Sequence, residues 1–268
     1  MTAAIQLKAV DISFAVKGKP VFRAVAGADL SVGRGEFVAI VGPTGSGKST
    51  LLNAAAGLLR PSAGAVEIDG KQLSGLNRSA GYLFQADALM PWKTSRDNVA
   101  ISLEIEGVPR REALARADEW LVKVGLRGFG DRYPHMLSGG QRKRVAMAQV
   151  LIRDPEILLM DEPFGPLDAQ TRLIMGDLLL ELWQQDRKAV MFVTHDLEEA
   201  ISLSDRVVIL STGPDARIIG DFPIPLERPR DVSEIKLTPE FQNLHRDIWH
   251  ILKEQVLKAY GYSTEKTA

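Results

Sequence analysis

Apolar positions recur along this chain with two periods, and the change of period marks out its elements. Ile5, Leu7, Val10 and Ile12 approximate an alternating strand, and Ala28-Asp29-Leu30-Ser31-Val32 gives a second. Unbroken apolar runs follow at Phe37-Val38-Ala39-Ile40-Val41, Ile157-Leu158-Leu159-Met160, Ala189-Val190-Met191-Phe192-Val193 and Val207-Val208-Ile209-Leu210. Runs of that length bounded by polar residues read as buried strands. Val66-Glu67-Ile68-Asp69-Gly70 reads as a strand entering a tight turn, with a turn at 61–64 before it. Gly81-Tyr82-Leu83-Phe84-Gln85 is a short apolar strand ending in glutamine, and 217–222 is a further strand. Helical spacing appears after Gly47, in Ala113, Leu114, Ala117, Trp120, Leu121 and Val124, at 142–151 and at 168–185. A last helix, between Pro239 and about Ala259, carries Phe241, Leu244, Ile248, Ile251 and Leu252 on one face. That stripe packs on the domain or faces a partner.

Strands alternating with helices predict an α/β fold. The stretch from 96 to 153 is helical and nearly free of strand signals, so 86–153 reads as a helical insertion. The expected division is 1–85 for the first part of the core, 86–153 for the insertion, 154–225 for the second part of the core and 226–268 for the tail.

Length and composition change this picture little. The chain has 268 residues, 45% of them hydrophobic, enough for one large domain or two lobes. It has no cysteine, which removes disulfides and thiol chemistry. A formal net charge of −1 gives no case for a nucleic-acid-binding face. The N-terminus does not read as a signal peptide, and no run of 18 apolar residues is present. Work at a membrane would require docking on a partner.

The chemistry concentrates where strands end. Gly42-Pro43-Thr44-Gly45-Ser46-Gly47-Lys48-Ser49-Thr50 fits the Walker A pattern between a strand and a helix. Its glycines let backbone N–H groups approach phosphates, and the helix N-terminus adds partial positive charge. Lys48 can reach the outer phosphates, and the Ser49 hydroxyl can ligate Mg²⁺. Asp161 and Glu162 close a buried apolar run, where acids are costly unless they bind something. An Asp there suits Mg²⁺, and the Glu can deprotonate an attacking water. The alternative is a solvated strand end. Gln85 and His195 also follow strands, and each is an ordinary polar end or a ligand. Ser138-Gly139-Gly140-Gln141 opens a helix and is either an N-cap or an anion site. Asp168 likewise reads as an N-cap.

Taken in order, these motifs resemble the ATP-binding cassette (ABC) family, in particular the ATPase subunit of a bacterial importer. The resemblance covers about residues 5 to 225 and rests on six motifs. They are the P-loop, the glutamine loop at Gln85, the signature Leu137 to Gln141, the Walker B strand 157–162, the aspartate loop Gly165-Pro166-Leu167-Asp168, and the switch histidine His195. It implies a P-loop NTPase core of RecA-like type, with an N-terminal antiparallel β subdomain and an inserted α-helical subdomain. It further implies ATP and Mg²⁺ as ligands and two copies arranged head to tail. Each ATP would lie between the P-loop of one copy and Ser138, Gly139, Gly140 and Gln141 of the other. Ser49, Gln85 and Asp161 would serve the metal, Glu162, His195 and Gln85 the hydrolysis, with Gln85 sensing the γ-phosphate, and Asp168 the dimer interface.

A finer resemblance is to the nitrate, sulfonate and taurine importer group. It is carried by Leu89-Met90-Pro91-Trp92-Lys93-Thr94 with Asp97-Asn98-Val99, by Asp161-Glu162-Pro163-Phe164-Gly165 with Asp168-Ala169-Gln170-Thr171-Arg172, and by Arg228-Pro229-Arg230. It implies a cytoplasmic protein peripheral on the inner face of the cell membrane. Its partners would be transmembrane permease subunits and, indirectly, a solute-binding protein, with no nucleic acid. Leu89 to Trp92 would form the permease groove, unless Trp92 is buried in its own lobe. Three positions depart from the family pattern. Val16 stands where an aromatic would stack on adenine, leaving Phe14 or Phe22 as substitutes. Pro166 replaces a small residue, and Gln149-Val150 replaces Arg-Ala. The competing readings are a soluble ABC ATPase with a non-transport partner and an exporter ATPase.

Overall fold

The structure is a computed structural model that describes residues 3–15, 18 and 20–260. Val16 lies outside the described residues. Strands β1 (Ile5–Phe14), β2 (Phe22–Val32), β4 (Ala63–Ile68) and β5 (Lys71–Gln72) form an antiparallel sheet in the order β2-β1-β4-β5. Strands β3 (Phe37–Val41), β6 (Ala80–Leu83), β7 (Ile157–Asp161), β8 (Ala189–Val193), β9 (Arg206–Leu210) and β10 (Ile218–Pro223) form a second sheet in the order β10-β9-β3-β8-β7-β6. All its neighbours are parallel except β10, which runs antiparallel along β9.

The unbroken apolar runs are explained by a sheet covered on both faces. Phe37, Ala39 and Val41 enter one core with Leu158, Met160, Val190 and Phe192. Val38 and Ile40 enter the other with Ile157, Leu159, Met191 and Val193. The first core is closed by α5 (Ala169–Gln185), α6 (Leu197–Leu203) and α7 (Pro239–Ala259), which contribute Leu179, Ile201 and Ile248. The second is closed by α1 (Lys48–Ala55) and the antiparallel sheet. A third core joins α2 (Ser95–Ile105), α3 (Arg110–Lys123) and α4 (Gly139–Leu151) through Val99, Leu103, Ala117, Leu121 and Val145. This is the P-loop NTPase arrangement with a helical insertion that the resemblance implies.

Several details differ from the sequence reading. The 61–64 turn is shorter, because Ala63 and Gly64 already belong to β4. Gly64 crosses β1 so closely that a Cβ there would lie 2.2 Å from the Ala9 carbonyl. Gln85 lies beyond β6, which ends at Leu83. Trp92 is 74% exposed, which overturns its burial within its own lobe. The stripe of α7 packs on the domain: Phe241, Ile248 and Leu252 are buried in the first core.

The tail is tied down by Arg230, which is 6% exposed and touches no carboxylate within bonding distance among the described residues. Its guanidinium donates to the carbonyls of Ile201, Ser202 and Ser204 at the end of α6, and to those of Ile224 and Leu226. A cation at a helix C-terminus meets carbonyls that have no partner within the helix. Burial, and then the charge of Arg228, pull its pKa down to about 10. Arg230→Met is expected to cost about 2–4 kcal/mol, because several buried carbonyls lose their donor together. Urea unfolding measures this, and an unchanged midpoint would show that the bonds contribute nothing.

Candidate functional site

Four neighbouring parallel strands place the candidate residues. The loop 42–50 follows β3, His195 follows β8, Asp161 ends β7, and Gln85 lies just past β6. Their C-terminal ends share one edge of the sheet, the edge where such folds bind ligands.

The loop after β3 is shaped for an anion. Gly45 and Gly47 have φ of 80° and 85°, a conformation that side chains disfavour. A Cβ on Gly47 would also lie 2.7 Å from Val25 Cγ2. Gly47 caps α1 without a side-chain acceptor, so the N–H groups of Lys48, Ser49 and Thr50 have no partner among the described residues. Orphan donors at a helix start are what a phosphate needs. Lys48 is buried and folds back, its Nζ donating to the Gly42 and Pro43 carbonyls at 2.9 and 3.0 Å. Burial lowers its pKa, against the opposing charges of Glu162 and Asp161. The Ser46 hydroxyl is buried without a partner.

Ser49 Oγ donates to Asp161 Oδ1 at 2.7 Å. Burial raises the Asp161 pKa, and the Glu162 charge adds to it, while Ser49 and Lys48 oppose it. Among the described residues, no cluster of three or more His, Cys, Asp or Glu side chains could hold a metal. A hydroxyl and one carboxylate suit Mg²⁺, which takes few protein oxygens and completes its shell with phosphates and water. The donor set therefore fits that ion.

Glu162 sits in the left-handed region with φ of 42°, which costs about 1–2 kcal/mol for a residue with a Cβ. Its N–H donates to Val193 O at 2.8 Å, holding the turn in register with β8. Its Oε2 lies 3.0 Å from His195 Nδ1 and 3.4 Å from Gln85 Nε2. The arrangement offers a carboxylate base with two polar neighbours that can share its water or its substrate.

The His195 turn is held by an Asp196 cap, which the Asp196-Leu197-Glu198-Glu199 pattern predicts, and by contacts of Thr194, Glu199 and Arg172 that the motif reading did not single out. Thr194 Oγ1 donates to Glu199 Oε2 at 2.7 Å, and Asp196 caps α6 through the N–H groups of Glu198 and Glu199. Arg172 bridges Asp196 at 2.9 Å and Glu199 at 3.3 Å. Burial raises the Glu199 pKa. Tyr82 was also missed: its hydroxyl donates to Asn53 at 2.9 Å, tying β6 to α1.

The remaining candidates form a second group. Ser138 caps α4 in a reciprocal capping box with Gln141. Asp168 caps α5, accepting from Thr171 N at 2.9 Å and Thr171 Oγ1 at 2.6 Å. These bonds also hold the Asp168 pKa down. A Cβ on Gly140 would meet Thr171 Cγ2 at 2.6 Å, so the signature turn and the aspartate turn are packed together. Among the described residues, no hydrogen bond runs from Ser138, Gly139, Gly140 or Gln141 to the loop 42–50. Phe14 and Phe22 face each other across β1 and β2, and both are exposed.

A family model described as ABC transporter matches residues 25–165. The chain is 43% identical to the taurine import ATP-binding protein TauB of Pseudomonas aeruginosa, over 89% of this chain and 92% of that one. It is 37% identical to the bicarbonate transport ATP-binding protein CmpC of Synechococcus elongatus, over 95% of this chain and 39% of that one. Among solved structures, a dimeric post-hydrolysis state of the ATP-binding cassette MJ0796 bound to ADP and Pi superposes with a TM-score of 0.73. That match has 33% identity and covers 83% of this chain and all of the other.

Proposed function

The chain belongs to the ABC transporter family as one of its ATPases, and we propose that it energises the import of a small anion such as a sulfonate, taurine or nitrate. The observation that carries the ATPase site is the meeting of the 42–50 loop, Asp161, Glu162 and His195 on one edge of the sheet. The likeness to a taurine import protein and a bicarbonate transport protein supports an importer of anions.

Lys48 and the N–H groups of Gly45, Gly47, Lys48, Ser49 and Thr50 bind the phosphates, with Gly42, Pro43, Thr44 and Ser46 shaping the loop. Ser49, Asp161 and Gln85 would hold Mg²⁺, which would neutralise charge on the phosphates. Glu162 takes a proton from the attacking water, and His195 holds the γ-phosphate side of that geometry. Stacking on the base falls to Phe14 or Phe22.

Ser138, Gly139, Gly140 and Gln141 make no hydrogen bond to the loop 42–50 among the described residues, and in this reading a second copy supplies them across a head-to-tail interface that Asp168 lines. ATP favours the closed pair because its contacts to both copies exist only there. Hydrolysis removes those contacts. The permease is engaged by Leu89, Met90, Pro91 and Trp92, which places the protein on the inner face of the membrane. A solute-binding protein takes part only through the permease. Trp92 is a large aromatic about three-quarters exposed, as an unpartnered interface anchor would be.

Tagged protein drawn from native membranes in the presence of ATP is expected to bring a polytopic membrane protein with it. Trp92→Ala should reduce that recovery on the order of tenfold, the scale of an aromatic anchor. Recovery of ribosomes or nucleic-acid proteins instead overturns the transport reading and leaves the ATPase. Full recovery with Trp92→Ala overturns the groove.

A further inference from the structure

The glutamine turn is fastened to the signature helix by a buried cation. Lys143 lies in the first turns of α4, and its side chain is 1% exposed. Its Nζ donates to the Phe84 carbonyl at 3.1 Å and the Gln85 carbonyl at 3.0 Å, and lies 3.3 Å from Asp87 Oδ1. An ammonium has three donors, and here each has an acceptor. The other Asp87 oxygen accepts from Arg142 Nε at 3.0 Å, and Arg142 also donates to Leu137 O at 2.8 Å.

These bonds fall where the sheet stops. The pairing of β6 with β7 ends at Leu83 and Met160, and among the described residues no backbone N–H donates to the Phe84 or Gln85 carbonyl. Among the described residues Lys143 is therefore the donor that holds the Phe84 and Gln85 carbonyls, beside the Arg142–Asp87 pair on the same turn. The Lys143 side chain is 1% exposed, a position that is costly for a charge without acceptors. A charge is retained in such a place only when its partners are in position.

We propose that Lys143 is a positioning residue that joins the glutamine turn and the signature helix into one moving body. Rotation of α4 then moves Gln85 with it, so the metal and γ-phosphate contact in one ATP site and signature closure over the other are set by a single displacement. This rests on the roles given above to Gln85 and the signature.

The test is a cycle of Lys143→Met, Gln85→Ala and the double variant in the full chain, read as kcat, KM and nucleotide Kd. Lys143→Met should lower kcat on the order of 10- to 100-fold, the scale of a misplaced reacting group. Nucleotide Kd should stay within about twofold, because Lys48 and the 42–50 loop are untouched. The double variant should be no slower than the slower single one, since Lys143 acts through Gln85. Lys143→Gln, which keeps two N–H donors, should recover part of the loss, and it carries the same cycle if Lys143→Met does not fold. A double variant whose losses multiply overturns the proposal and leaves the role of Gln85 standing, as does unchanged kcat in Lys143→Met. Wild-type turnover in Gln85→Ala removes the role of Gln85 and the proposal with it.

Discussion

Glu162→Gln is expected to retain ATP and to hydrolyse it slower by about 10²-fold or more, the scale of losing a positioned general base. Gln has the shape of Glu and can still face His195 and Gln85 from the same strained backbone, where Glu162 Oε2 now lies 3.0 and 3.4 Å from them. What it lacks is the capacity to take a proton. The charge change also acts on Asp161, whose pKa is raised partly by the Glu162 carboxylate. Without that neighbour Asp161 ionises more readily, so the metal oxygens should not suffer. The loss should therefore fall on kcat and spare binding, and the pair should persist in its closed state with ATP. Single-turnover hydrolysis and size-exclusion chromatography with ATP measure both. Wild-type turnover would remove Glu162 from the role of base.

The site was legible in the sequence because its parts lie at ends of apolar runs, and run ends survive the loss of three-dimensional information. β3, β7 and β8 are each wholly or almost wholly buried, so their sequences carry no alternation and stop where polar chemistry begins. The order of strands in the sheet was not legible. Nothing local says that β8 lies between β3 and β7, the placement that sets His195 beside Glu162.

Charge in a helix was misleading. Arg142, Lys143 and Arg144 look alike in sequence, and only Lys143 is fully buried, turned to the carbonyls past β6. The contact between Arg172 and Glu199 was not legible for a similar reason: they meet only because α5 and α6 pack together. Conversely, the double reading of Ser138 and Asp168 could not be decided from composition. Both are caps in this chain.

Lys48→Ala is expected to separate binding from folding, because the two effects have opposite signs. A phosphate would replace the Gly42 and Pro43 carbonyls that Lys48 now contacts, and it carries full negative charge where they carry none. Losing a charge-assisted bond of that kind should weaken ATP on the order of 10- to 100-fold and abolish most turnover. Without nucleotide the same lysine is a burden. Its folded pKa lies below the ordinary value of 10.5 because it is buried. For a base this means that the unfolded chain binds the proton more tightly. The cost is present in full below the folded pKa and fades as pH rises toward 10.5. At neutral pH the nucleotide-free Lys48→Ala protein should therefore melt no lower than the wild type, and its stability should lose the rise toward alkaline pH. Added ATP should raise the wild-type melting temperature and leave the variant's nearly unmoved, since only a ligand that binds the native state shifts it. Thermal melts with and without ATP, at neutral and alkaline pH, test both halves. Unchanged ATP affinity and turnover would dismiss the phosphate role of Lys48, and a lower melting point without nucleotide would show that its bonds to Gly42 and Pro43 hold the loop.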